Sequence, residues 1–165
     1  MRTYSHAQEL LDNIPYIFMM TIGAAVMAVG MEFTRWAWIS AGSYLAYGVV
    51  GAAWIMVFVC PYCAFYDTRS CPCGYGQIAV KLKRRAEVEC FSRQFKKHIP
   101  VIVPLWLVPL AVGGMTLYRE FSVLLAALLA AFAIDAFLVL PLVSRQHGCA
   151  ECPQRDRCPW MGGSK

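Results

Sequence analysis

The sequence predicts an all-α integral membrane protein, a four-helix transmembrane bundle with a cytoplasmic cysteine-rich loop and tail. Hydrophobic residues make up 59% of the 165-residue chain and charged residues only 15%, against about a quarter charged in soluble domains. A soluble chain of this size has no core large enough to hide so much apolar surface. The apolar residues also come in long blocks rather than in alternating patterns, as a lipid-facing exterior requires. The third observation is charge: Lys and Arg fall almost wholly in segments that four spans place on one side.

The opening residues, MRTYSHAQELLD, carry one Arg, a Glu and an Asp. No small-residue cleavage site follows the first apolar block, which therefore reads as a retained helix. Tyr4, Ala7, Leu10, Leu11 and Ile14 fit a short surface helix ahead of it. The first span is expected from about Pro15 to Met31, with Pro15 in its first turn, where the missing N–H costs nothing. After Glu32-Phe33-Thr34-Arg35, a second span runs from about Ala37 to Cys60, with Trp36, Trp38 and Trp54 among its aromatics. The third covers about Ile99 to Leu117, and Pro104 and Pro109 inside it predict a kink. A short turn at Tyr118-Arg119-Glu120 leads into the fourth, which continues to about Val143.

Arg69, Lys81, Lys83, Arg84, Arg85, Arg93, Lys96 and Lys97 lie between spans two and three, and Arg145, Arg155, Arg157 and Lys165 follow span four. The opposite side has Arg35 and Arg119. The asymmetry predicts a multi-pass protein of the inner (cytoplasmic) membrane with both termini in the cytoplasm. The net charge of +5 thus follows topology. It is compatible with anionic lipid and gives poor support to a nucleic-acid function.

The bundle, with its cytoplasmic loop 61–98, is expected to span residues 1–143, and residues 144–165 form the tail. Residues 60–77, rich in Cys, Pro and Gly, read as a compact metal-binding loop, and residues 78–97 as a basic amphipathic helix along the membrane surface.

Chemistry is concentrated in the cysteines. The first set is Cys60, Cys63, Cys71 and Cys73, with spacing C-x2-C-x7-C-x-C; the second is Cys149, Cys152 and Cys158. Short spacings let neighbouring thiolates converge, so the first set makes a complete four-sulfur shell for zinc or an iron–sulfur cluster. Gly74 and Gly76 allow backbone N–H groups to approach sulfur, while Pro61 and Pro72 stiffen the turns. Cys71-Pro72-Cys73-Gly74 resembles a shortened half of a rubredoxin knuckle. The second set needs a fourth ligand: Cys90, on the surface helix, is the natural candidate and His147 the runner-up. One centre shared by loop and tail is also open. Stable disulfides do not persist on the reducing side of the membrane, and Cys60-Pro-Tyr-Cys63 also has the spacing of a thiol-exchange pair.

Asp135 is the acidic residue well inside a span, where a carboxylate needs a partner or water. It reads either as a proton relay or as a group hydrogen-bonded to Thr21 or a partner subunit. Glu32 and Arg35 read as an interfacial pair. Gly23, Gly30, Gly48, Gly51, Gly113 and Gly114 permit close helix packing. His6, His98 and His147 all fall outside the spans, which excludes a membrane-embedded bis-histidine haem. No phosphate loop, dinucleotide fingerprint, zinc-protease motif or hydrolase elbow is present.

The leading expectation is a small membrane subunit that holds one or two iron–sulfur clusters and passes electrons between a cytoplasmic donor and a membrane acceptor or partner protein. The alternatives are a zinc-stabilised scaffold or assembly subunit, a soft-metal transporter and a thiol oxidoreductase. For transport, the spans offer Asp135 and the thioethers of Met19, Met20, Met27 and Met31, which are more simply packing groups.

Overall fold

A computed structural model describes residues 3–150 and 152–159. Glu151, Trp160 and Lys165 of the expected tail, and Arg2, lie outside them. The described residues form an all-α protein of seven α-helices joined by 3-10 and π turns: α1 (His6–Gly30), α2 (Arg35–Phe58), α3 (Tyr75–Leu82), α4 (Phe91–His98), α5 (Pro104–Arg119), α6 (Val123–Ile134) and α7 (Leu140–Val143). Counted with their adjoining turns, four stretches are long and apolar enough to cross a membrane: His6–Gly30, Arg35–Tyr62, Val88–Arg119 and Val123–His147. The shortest has 25 residues, or about 38 Å of α-helix at 1.5 Å per residue, against a hydrocarbon core of about 30 Å. The fold is that of a multi-pass bundle.

Three expectations change. The proposed surface helix at the N-terminus and the first span are one helix, α1, because a capping box starts it at His6. Ser5 Oγ accepts the Gln8 N–H at 3.4 Å, and Gln8 Oε1 accepts the Ser5 N–H at 3.0 Å. Pro15 is consequently inside the helix. The surface helix expected over 78–97 is two helices, α3 and α4, separated by extended backbone. Tertiary hydrogen bonds claim the intervening groups: Tyr66 Oη donates to the Lys83 carbonyl at 2.6 Å, and the Ala86 N–H donates to the Pro61 carbonyl at 3.0 Å. The fourth span widens into π-helical turns at Asp135–Val139 and Ser144–Gly148.

The chain divides into two compact units that interleave in sequence. One comprises 15–51 and 102–141, the apolar parts of the spans. Its core gathers Met19, Met20, Ile22, Val26, Tyr44, Leu105, Leu125, Phe132 and Ala136. Met27 is also buried, so three of the four methionines weighed as soft ligands are packing groups. Leu107, Met115, Val123, Leu124, Phe137 and Leu138 are exposed, as lipid-facing residues must be. Proline shapes α5: Pro104 starts it, and Pro109 removes the N–H that the Leu105 carbonyl needs. Tyr44 Oη supplies the missing bond at 2.9 Å. The hydroxyl of Thr116 likewise reaches the Gly30 carbonyl at the end of α1, at 2.9 Å.

Gly23 lies under the Tyr44 ring, where a Cβ would stand 2.5 Å from Oη. Gly113 is equally enclosed, by Val26 and Leu129, whereas Gly114 faces open space. Asp135 is 4% exposed and its Oδ2 has no hydrogen-bond partner among the described residues. Thr21, one partner considered for it, donates to the Ile17 carbonyl in its own helix at 2.8 Å. Glu32 and Arg35 form no ion pair among the described residues; the turn between α1 and α2 holds Glu32 and Phe33 at positive φ.

The second unit comprises 1–14, 52–101 and 142–165. The described residues of the tail fall in this unit together with those of the N-terminus and the middle loop. All eight cysteines fall in it.

Candidate thiol site

Residues 60–74 form a succession of tight turns. A 3-10 turn at Cys60–Tyr62 closes with the Cys63 N–H on the Cys60 carbonyl at 3.0 Å. Pro61 is buried in it, where its fixed φ suits the turn. Further turns follow at Cys63–Tyr66 and Cys71–Gly74. Gly74 enters α3 at φ +72°, a conformation that favours glycine. Two residues on, a Cβ at Gly76 would collide with the Phe65 carbonyl, so the loop closes on itself only where the side chain is absent.

This winding aims backbone N–H groups at sulfur. The Gly76 N–H donates to Cys71 Sγ at 3.3 Å, and Cys73, Gly74 and Tyr75 add backbone hydrogen bonds to the same thiol. Phe65 provides one to Cys63 and Gln154 one to Cys152. In each case the bond lowers the thiol pKa, because an N–H aimed at sulfur favours the thiolate. The pattern spans loop and tail alike.

Burial opposes it. Desolvation pushes Cys63 and Cys73 up to about 12 and Cys149 up to about 11, and raises Cys71 and Cys152 as well. Neighbouring sulfurs add to the rise, and their identities map the site. Cys152, Cys71 and Cys158 act on Cys63, and Cys71, Cys149 and Cys63 act on Cys73. Thiols of loop and tail therefore influence one another electrostatically. All are free thiols. Among the described residues, no three His, Cys, Asp or Glu side chains stand close enough together to hold a metal ion.

The tail is held to the loop by Gln154, which is 8% exposed. Its Oε1 accepts the Ala64 N–H at 2.9 Å, while Nε2 reaches the Tyr62 carbonyl at 3.3 Å and the Val88 carbonyl at 3.0 Å. One side chain thus joins tail, loop and the turn before α4. Sequence reasoning passed over it, although a lone amide between Cys152 and Cys158 is the kind of residue that satisfies several backbone groups at once. The start of α1 joins the same loop. Asn13 Nδ2 donates to the Cys73 carbonyl at 3.1 Å, Gln77 Nε2 to Glu9 Oε1 at 2.9 Å, and the Tyr4 N–H to the Arg69 carbonyl at 2.8 Å.

The two residues expected to complete the second set have other neighbours. Cys90 sits in a turn packed against Cys60–Tyr62, with its Sγ 3.4 Å from Arg93 Nη2 and 3.8 Å from Glu87 Oε2. His147 is exposed, and its carbonyl accepts the Tyr4 hydroxyl at 3.1 Å. His98 stacks on Phe58, with centroids 5.0 Å apart, and its Nδ1 accepts the Trp54 indole N–H at 3.2 Å. His6 pairs with Glu9 at 3.0 Å.

The arrangement is a group of free thiols on which backbone N–H groups and burial act in opposite directions, and burial prevails at Cys63, Cys71, Cys73, Cys149 and Cys152. Comparisons with protein-family models, with curated proteins and with solved structures gave no match to this chain.

Proposed function

We propose that the protein is a membrane subunit that carries an iron–sulfur centre on the cytoplasmic thiol unit and passes electrons between a cytoplasmic donor and a membrane acceptor or partner. The observation that carries the reading is the coupling of Cys63 to Cys152 and Cys158, and of Cys73 to Cys149. Loop and tail thiols act on one another electrostatically, and backbone N–H groups reach three of the sulfurs, which supports the reading.

The residues suit such a centre. Cys60, Cys63, Cys71, Cys73, Cys149, Cys152 and Cys158 would hold it, each losing its thiol proton on ligation. Burial raises Cys63, Cys71, Cys73, Cys149 and Cys152 in the absence of metal; a cation would oppose this by attracting thiolate. A bound iron–sulfur cluster supplies a one-electron couple whose potential responds to hydrogen bonds at sulfur and to solvent exposure. Gly76 and Phe65 donate such bonds, Gln154 fixes the tail against the loop, and the long apolar helices anchor the unit in the bilayer. Metal binding requires the sulfurs to draw in from their present spacing.

A zinc-stabilised scaffold would use the same thiols, and the three bonds of Gln154 favour it as the second reading, since they already cross-link tail and loop. Protein purified without oxygen in mild detergent, assayed for absorption, iron, acid-labile sulfide and zinc, separates the two. A brown protein with matching iron and sulfide, bleached by dithionite, is the expected result. A colourless protein with stoichiometric zinc overturns electron transfer in favour of the scaffold.

A further inference from the structure

The ends of α2, α3 and α4 meet in an aromatic shelf that carries cations, all of it within the unit of 1–14, 52–101 and 142–165. Trp54 and Phe58 occupy successive turns at the end of α2, with ring centroids 4.4 Å apart. His98, the last residue of α4, stacks on Phe58 at 5.0 Å, and its Nδ1 accepts the Trp54 indole N–H at 3.2 Å. A neutral imidazole that accepts at Nδ1 keeps its proton on Nε2 as a donor. Lys83, directly after α3, places its Nζ 5.1 Å from the centroid of the same Phe58 ring, and Lys97 adjoins His98. Both lysines are exposed, and neither is in an ion pair among the described residues. The surroundings are positive as well, since residues 81–98 carry seven Lys and Arg against Glu87 and Glu89.

Position selects the partner. Trp54 and Phe58 belong to one stretch able to cross a membrane, and Lys97 and His98 to another, just ahead of its apolar run. Such ends lie at headgroup depth, where indole rings and snorkelling lysines settle. We propose that this shelf binds an anionic phospholipid, its phosphate held by Lys83, Lys97 and the His98 Nε2–H and its chains lying against Trp54 and Phe58. Two cations and a ring donor answer the charge and the acceptor oxygens of a phosphodiester. The site shares no residue with the cysteines, so it stands whatever the thiols hold.

The full chain reconstituted in phosphatidylcholine vesicles tests it. Brominated-chain phosphatidylglycerol is added to one set and brominated-chain phosphatidylcholine to another, because bromine quenches tryptophan on contact. Stronger quenching by the anionic lipid is expected, and it should weaken as salt is raised. Lys83→Gln with Lys97→Gln should lower the anionic preference by about fivefold for each charge removed, while Lys83→Arg with Lys97→Arg should retain it. Trp54→Phe should remove most of the excess quenching. Equal quenching of the wild type by the two lipids overturns the proposal, as does a glutamine pair that keeps the preference. A Trp54→Phe protein with undiminished excess quenching also overturns it, because the anionic lipid then sits elsewhere. An arginine pair that behaves like the glutamine pair overturns it as well, since the charge that defines the site is still present.

Discussion

Single residues set opposing forces on the thiols. Gly76, Phe65 and Gln154 turn backbone N–H groups toward Cys71, Cys63 and Cys152, while burial and neighbouring sulfurs push the same groups upward. Burial wins. In the metal-free protein, the folded pKa values of about 12 for Cys63 and Cys73 and about 11 for Cys149 lie above the ordinary thiol value of 9.0. A raised folded pKa means that the native state holds its protons where the unfolded state has lost them. The associated stability is therefore complete below pH 9 and is lost as pH rises toward 11 and 12. Denaturant unfolding of the metal-free protein between pH 8 and pH 12, about the ordinary and raised thiol values, should show a falling midpoint; alanine at Cys63 and Cys73 should flatten the fall. A midpoint independent of pH over that window would contradict the burial of these thiols.

The helices show where one side chain governs an element. Pro109 breaks the hydrogen-bond ladder of α5 and Tyr44 repairs it through the Leu105 carbonyl. The repair requires the ring to lie flat on Gly23, where a Cβ would sit 2.5 Å from the hydroxyl. Gly23→Ala is expected to displace the ring and lower stability by about 1–3 kcal/mol, the usual cost of overpacking. Tyr44→Phe should cost about 1 kcal/mol through the lost hydrogen bond. Thermal unfolding in detergent reads both, and equal stability of Gly23→Ala and wild type would show that α1 and α2 do not approach there. The widening of the fourth span at Asp135 belongs to the same scale. Nothing in the sequence around Ala133-Ile134-Asp135 announces a π turn, because its spacing differs from an α-helix by one residue in the hydrogen-bond ladder.

For the molecule as a whole, the interleaved division of the chain matches the distribution of charge. Among the described residues, every Lys and Arg but Arg35 and Arg119 falls in the unit drawn from 1–14, 52–101 and 142–165; those two belong to the apolar unit. On the proposed cytoplasmic placement of the thiol unit, a membrane-impermeant maleimide applied to intact cells should leave the wild-type cysteines unlabelled and should label Tyr118→Cys, at a position 92% exposed in the last turn of α5. Labelling of the native cysteines instead would invert the topology and reopen the case for disulfides.

The sequence by itself determined the four apolar spans, the all-α class and the segregation of basic residues and cysteines from the membrane segments. These follow from composition and from runs of about twenty residues, which act locally through hydrophobicity and charge. It also marked Cys60, Cys63, Cys71, Cys73, Cys149, Cys152 and Cys158 as chemistry in waiting, since close spacing is a local property. Tertiary structure alone decided which distant residues meet the loop. It let Cys152 and Cys158 act electrostatically on Cys63, gave Gln154 its three backbone partners, and set the Asn13 amide on the Cys73 carbonyl. It also split the helix expected over 78–97, because bonds from Tyr66 and to Pro61 outbid the local ladder. Each of these couples residues tens of positions apart, and such couplings are fixed by how the chain returns on itself, which no local pattern encodes.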